Sequence, residues 1–225
     1  MILLFDIGNT RMKVSVSDHR GIFSVRDWEE LLPRAEAVLV SNVAGPEALP
    51  AVVLHHPNCH VLSWQSPEAE QWLDGIHRGM GSDRLAADIG ARSMFPESTL
   101  LVIDAGTCVT FDVIDGRGKI LGGAISPGVS LRLKAMHEHT AALPLPELCG
   151  EHSVMGRDTI TAMRSGAVNG MRWEIEGYIR HTLSLFPDLH VFFTGGDSIE
   201  LPDDLSHIIS RDPLLVQKGL LAAFI

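Results

Sequence analysis

The sequence predicts an α/β fold made by duplication: two halves, each built on a mixed five-stranded sheet, with a ligand cleft between them. Two observations carry that prediction. The apolar runs Ile2-Leu3-Leu4-Phe5 and Leu100-Leu101-Val102-Ile103 each lead into an Asp, a small turn and a hydroxyl, first Asp6-Ile7-Gly8-Asn9-Thr10 and then Asp104-Ala105-Gly106-Thr107. After each run the same order of elements follows: two more strands, a helix, a strand, a helix and a strand. With 225 residues the chain has ample material for a core in either one large domain or two small ones. The expected halves are residues 1–97 and 98–225.

In the first half the strands fall at 2–5, 12–17, 21–25, 37–41 and 59–63, with helices near 27–33 and 46–53. Met12 to Ser17 alternates with period two, as a half-covered strand does, and Asp18 to Gly21 turns it into its antiparallel neighbour. Helices at 66–78 and 83–95 bridge the halves. Ser66-Pro67-Glu68 is a good helix start, with acidic residues in the first turn. The second half has strands at 100–103, 108–114 and 119–125, the last two joined by the turn Asp115-Gly116-Arg117-Gly118. A helix from about 128, a long helix 158–186, strands at 189–193 and 207–209, and a terminal helix from Pro213 complete it.

Composition narrows the function classes. A net charge of −10 and the absence of any Lys/Arg run argue against general nucleic-acid binding. No apolar run approaches the roughly 20 residues of a membrane span, and Asp6 interrupts the only candidate for a leader. Cys59, Cys108 and Cys149 form no CxxC pair, which points to a reducing compartment, the cytoplasm. The eleven His form no metal-ligand spacing.

The two Asp-led turns carry the chemistry. A hairpin of this kind offers backbone N–H groups and a Thr hydroxyl to a phosphate, with a carboxylate placed for its metal ion. Either turn alone is also an ordinary hairpin. Two at matching points of two halves could grip a nucleoside triphosphate from both sides, with Lys13 as a local cation. Thr194-Gly195-Gly196-Asp197 ends a strand, and the glycine pair would let backbone approach a flat ligand such as adenosine. In Gly81-Ser82-Asp83-Arg84 two readings stay open: Ser82 or Asp83 caps the following helix, or Asp83 takes a hydroxyl proton while Arg84 holds an anion.

As a set these blocks resemble the type III pantothenate kinases, of the acetate and sugar kinase, Hsp70 and actin superfamily. DIGNTRMK at 6–13, GSDR at 81–84, DAGTCVTFD at 104–112, GGAISPG at 122–128 and GRDTITAMRSG at 156–166 stand in the family's order, with TGGD at 194–197 weaker. The resemblance implies duplicated actin-like, ribonuclease H-like domains and ATP-dependent phosphorylation of the primary hydroxyl of pantothenate, the first step toward coenzyme A. It implies that Asp6, Ile7, Gly8, Asn9, Thr10, Arg11, Met12 and Lys13 form the first phosphate loop, and that Thr107, Gly195 and Gly196 contact ATP. Gly81, Ser82, Asp83, Arg84 and Thr159 would meet pantothenate, with Asp83 as catalytic base. Asp104 would hold K⁺ or NH₄⁺, and Asp6 is the carboxylate expected near Mg²⁺, directly or through water. A homodimer follows from the same resemblance. One departure stands out: Asp74 and His77 occupy positions where the family carries Tyr and Pro, which leaves the wall of the pantothenate pocket in question. Two alternatives accompany this reading, a kinase for another small alcohol and a non-catalytic nucleotide-binding accessory protein.

Overall fold

A computed structural model describes residues 1–196 and 199–225, so Asp197 of the TGGD block lies outside the described residues. The first half contains β1 (Ile2–Ile7), β2 (Met12–Asp18), β3 (Gly21–Ser24), β4 (Ala37–Asn42) and β5 (Cys59–Val61), in the order β3-β2-β1-β4-β5. The second contains β6 (Leu100–Ala105), β7 (Cys108–Ile114), β8 (Ile120–Pro127), β9 (His190–Gly195) and β10 (Ile209–Arg211), in the order β10-β9-β6-β7-β8. Read from opposite edges, the two orders are the same list of positions. In each sheet the first strand is central, antiparallel to the second and parallel to the fourth. The duplication expected from the sequence is therefore present, on an actin-like α/β plan.

The helices are α1 (Trp28–Leu31), α2 (Ala51–Leu54), α3 (Pro67–Glu70), α4 (Ser82–Met94), α5 (Val129–Glu138), α6 (Thr159–Leu185) and α7 (Leu215–Phe224). α4 and α7 lie between the halves, and their core joins Leu4 and Leu39 of one sheet to Leu100, Val102 and Phe192 of the other through Leu85, Ile89, Leu215 and Leu220. α6 covers the outer face of the second sheet, where Met171, Ile175 and Ile179 meet Ile103 and Phe111. A third core under Trp28 and Val53 covers the outer face of the first sheet. With both faces covered, the central strands read as continuous apolar runs. β2 differs from its half-covered reading, because Ser15 is buried as deeply as Val14 and Val16.

Several elements are shorter than expected. The helix read over 66–78 is only α3; beyond it Gly75 and Gly79 take φ of 79° and 81°, which ends a right-handed helix. Asp74 instead pairs backbone with the β7–β8 turn, its N–H donating to Gly118 O at 2.8 Å and its carbonyl accepting from Ile120 N–H at 2.8 Å. The helix read over 46–53 divides at Pro50 into a 3-10 turn at Pro46–Ala48 and α2. That over 27–33 is α1 followed by a 3-10 turn carrying Pro33. Residues 207 and 208 end a 3-10 turn, and the strand β10 begins at Ile209. The terminal helix starts at Leu215, with Pro213 in the turn before it, where Asp212 accepts the Leu214 N–H at 2.9 Å. Among the described residues no helix is long and apolar enough to cross a membrane.

Candidate active site

The β1–β2 turn closes with the Gly8 N–H donating to Arg11 O at 3.1 Å, and the β6–β7 turn with the Gly106 N–H donating to Cys108 O at 2.9 Å. Each turn puts its Asp at the end of a central strand and its Thr at the tip. The tips meet: Thr10 Oγ1 lies 2.7 Å from Thr107 Oγ1. Two hairpins separated by most of a domain in sequence thus face one another across the junction of the halves. The Pro-Gly corner after β8 supports the second tip, since the Gly128 N–H donates to Thr107 O at 3.0 Å, and a side chain there would run into the Gly106 carbonyl.

Asp83 enters from α4. Gly81 is the N-cap residue and no side chain caps the helix, so neither Ser82 nor Asp83 is the conventional cap. Ser82 is buried and ties α4 to the end of β4, accepting from the Asn42 N–H at 2.9 Å and lying 3.0 Å from the Ser41 hydroxyl. Asp83 accepts the following Arg84 N–H at 2.8 Å, which leaves one carboxylate oxygen for other work. Burial pushes the Asp83 carboxyl above its ordinary range, opposed by Arg84. Asp6 is raised for the same first reason, with Lys13, 3.5 Å from its carboxylate, opposing and Asp83 adding to it. Asp104 is pushed up to about 6, by burial first and then by the charge of Asp83. The three carboxylates therefore share one field, and Lys13 and Arg11 are the cations that moderate it.

Arg84 is not free. Its Nε donates to Asp112 Oδ2 at 2.9 Å and its Nη2 to Oδ1, a two-point pair between buried groups. Asp112 closes the DAGTCVTFD block, but nothing in the local sequence names Arg84 as its partner. Asp88, one turn beyond Arg84, is fully buried with neither oxygen bonded among the described residues, and its carboxyl is raised well above the ordinary range by burial and by Asp112. The pairing of Asp112 with Arg84 is a site feature that the sequence did not announce.

Gly195 packs against Ala105 with φ of 103°, where a side chain would collide with the β6 backbone, and the Gly196 N–H donates to Ala105 O at 2.9 Å. A side chain on Gly196 would strike the Arg11 guanidinium, so Arg11 reaches across from the first hairpin to this strand end. A cleft of ≈ 630 Å³ opens here, lined among others by Arg11, Lys13 and Gly195. Met12 begins β2, with Ile7 ending β1 opposite it. Thr159 lies apart, as the exposed first residue of α6, and no hydrogen bond among the described residues ties it to the Asp83 cluster. Asp74 and His77 are exposed.

With this geometry in place the relatives can be compared. Residues 27–181, more than half of the chain, match the Type III pantothenate kinase family. A Type III pantothenate kinase of Bacteroides fragilis is 38% identical, covering 98% of this chain and 96% of its own. The chain belongs to the type III pantothenate kinase family. Another relative of that name, from Flavobacterium johnsoniae, is 36% identical over 93% of this chain and 91% of its own. Among solved structures, a Campylobacter jejuni protein named as a Baf-family transcriptional activator is 25% identical, with a TM-score of 0.64, covering 98% of this chain and 96% of that one. A 2-dehydro-3-deoxygalactonokinase structure from Sinorhizobium meliloti aligns with a TM-score of 0.58 at 10% identity, over 99% and 95%, and speaks for the fold alone. For this family member, the donors on hand suit the cations that the family implies. Asp6, Asp83 and Asp104 are oxygen donors under mutual repulsion, which a hard cation relieves. No three His, Cys, Asp or Glu converge into a metal cage among the described residues, so phosphate oxygens or water would complete such a site.

Proposed function

We propose that this chain transfers the γ-phosphoryl group of ATP to the primary hydroxyl of pantothenate, forming 4′-phosphopantothenate for coenzyme A synthesis. The observation that carries the reading is the meeting of the two Asp-led hairpins, Thr10 against Thr107, beside the raised carboxylate of Asp83. Phosphoryl transfer asks mainly for positioning and charge neutralisation. The hairpin N–H groups, Thr10, Thr107, Lys13 and Arg11 would hold the polyphosphate. Asp83 would accept the hydroxyl proton as the oxygen attacks, its raised basicity suiting a general base near neutral pH. Arg84, aligned by Asp112, would place the acceptor. Asp6 would hold Mg²⁺ through phosphate or water and Asp104 a K⁺ or NH₄⁺ ion; bound there, the cations would neutralise charge on the phosphates.

The three cysteines are unpaired, in keeping with a reducing cytoplasm. Thr159 is set apart from Asp83 within one chain, which fits a site completed by a second copy in a homodimer. A coupled assay with ATP, Mg²⁺, K⁺ and pantothenate tests the proposal, and formation of phosphopantothenate is the expected result. Turnover of another small alcohol in its place would favour the second reading, which the exposed Asp74 and His77 motivate. ATP binding without turnover of any alcohol would leave an accessory protein.

A further inference from the structure

The Pro-Gly corner between β8 and α5 supports the Thr107 tip, and it needs a hold of its own. β8 is the last strand in the order of its sheet, so only β7 pairs with it at this end. Leu121 and Ile125 on β8 are exposed and so is Pro127, so little apolar packing pins the corner. One side chain takes hold of it. Arg132, one turn into α5, donates from Nε to the Pro127 carbonyl at 2.7 Å and from Nη2 to Ser126 Oγ at 3.0 Å. Its Nη2 also donates to Oε2 of Glu174 on α6. Among the described residues no other side chain bonds to Ser126 or Pro127. A plain bridge between α5 and α6 would need the Glu174 contact alone.

We infer that Arg132 is a positioning residue for the phosphates of the nucleotide, acting on the Thr107 tip through the Pro127–Gly128 peptide. The carbonyl of that peptide is the group that Arg132 holds, and its N–H is the group that donates to Thr107 O at 3.0 Å. A peptide unit is planar and stiff, so its two ends cannot turn independently. With the carbonyl fixed by a charged donor, the N–H keeps its aim at Thr107 O, and the Thr107 hydroxyl keeps its place 2.7 Å from that of Thr10. Glu174 ties the guanidinium to α6, so the tip is held to a long helix as well as to an edge strand. The inference rests on the nucleotide reading given above and adds a residue that, among the described residues, is bonded to neither hairpin.

The test is calorimetric titration of the full chain with ATP and Mg²⁺, beside initial rates and thermal melts. Arg132→Met keeps the apolar stem and removes every donor. Arg132→Lys keeps a charge for Glu174 but has no donor at the Nε position. Both should weaken ATP by about tenfold, the worth of one displaced hydrogen bond to a charged group. KM for ATP should rise with it, while KM for the alcohol acceptor stays at the wild-type value. A merely structural contact behaves otherwise: its loss lowers Tm and the amount of folded enzyme but leaves the affinity of the folded chains unchanged. Wild-type affinity for ATP in Arg132→Met, full rescue by Arg132→Lys, or an equal rise in both KM values would overturn the inference. If Arg132→Met does not fold, Arg132→Lys decides alone: a tenfold loss supports the inference and wild-type affinity overturns it. Failure of the wild-type chain to bind ATP overturns the nucleotide reading and this inference with it, whereas undiminished binding by the variants overturns only the role of Arg132.

Discussion

Asp83 can serve as a base only if its carboxylate is basic enough and has an oxygen to spare, and both conditions hold. Burial raises it above the ordinary value of 3.8, and its hydrogen bond to the Arg84 N–H engages one oxygen. Asp83→Asn should therefore lower kcat by about 10²–10⁴-fold, the usual contribution of a positioned base. Nucleotide affinity measured by calorimetry should stay near wild type, and a variant that keeps most of its turnover would end the assignment. Asp112→Asn should act differently. It keeps the shape of Asp112 but loses the charge that aligns Arg84, so KM for the acceptor should rise about tenfold, with kcat changed less. An unchanged KM would leave the pair a purely structural bridge. At Asp104 the cation should show in stability. A carboxyl raised to about 6 keeps a proton in the folded state that the unfolded chain has released, so stability falls as pH rises from about 4 through 6. A K⁺ ion bound at the ionised group would offset that loss. Added K⁺ should therefore raise Tm more at pH 8 than at pH 5 and support turnover that Na⁺ does not; identical rates in sodium and potassium buffers would count against the site. Asp6, Asp83, Asp104 and Thr107 were legible because each belongs to a short local pattern. The pairing of Asp112 with Arg84 was not, because the two partners lie far apart in sequence.

At the scale of elements the site depends on how closely α4 lies against α7, since α4 carries Asp83 and Arg84 at its first turn. Gly90 and Gly219 make that crossing possible: a side chain on Gly219 would enter the Ala86 carbonyl, and one on Gly90 would enter the Leu215 carbonyl. Both obstacles are backbone and cannot rotate aside. Gly219→Ala should therefore cost at least the ~1–3 kcal/mol of ordinary overpacking, or roughly 2–12 °C in Tm for a chain of this length. It should also reduce activity by moving Asp83, and thermal melts beside initial rates would show both. A variant with wild-type Tm would mean that the helices can part without strain. The strands and the long helix were readable because apolar periodicity and local caps define them; α6 even begins with a reciprocal cap between Asp158 and Thr161. The segment 66–78 misled because its helical start is real, while its continuation is decided elsewhere. Asp74 bonds to the β7–β8 turn, a contact that local propensity cannot foresee.

The molecule as a whole leaves α6 with more apolar surface than one chain covers. Met163, Ala167, Met171, Ile175 and Ile179 are buried against the second half, as a single helical stripe should be. Outside that stripe, Ile160 at 42%, Trp173 at 48% and Leu185 at 59% remain exposed on the same helix. Leu148 and Met155, in the segment leading into α6, are exposed as well. A side chain on Gly166 would meet open space, so this part of the helix is open to a close neighbour. A second chain packed along this helix would take these side chains out of water, and burying a Trp removes a large area. The expected partner is a second copy, and light scattering at assay concentrations should give about twice the 24.5 kDa chain mass. Trp173→Glu should shift that mass toward one chain, because a dimer interface would have to desolvate the new charge. If Thr159, at the start of the same helix, completes the partner's acceptor pocket, the monomeric variant should also lose kcat/KM for the acceptor while keeping its affinity for ATP. A wild-type monomer with full activity would sink both the dimer and the shared pocket, and a fully active Trp173→Glu monomer would sink the shared pocket alone.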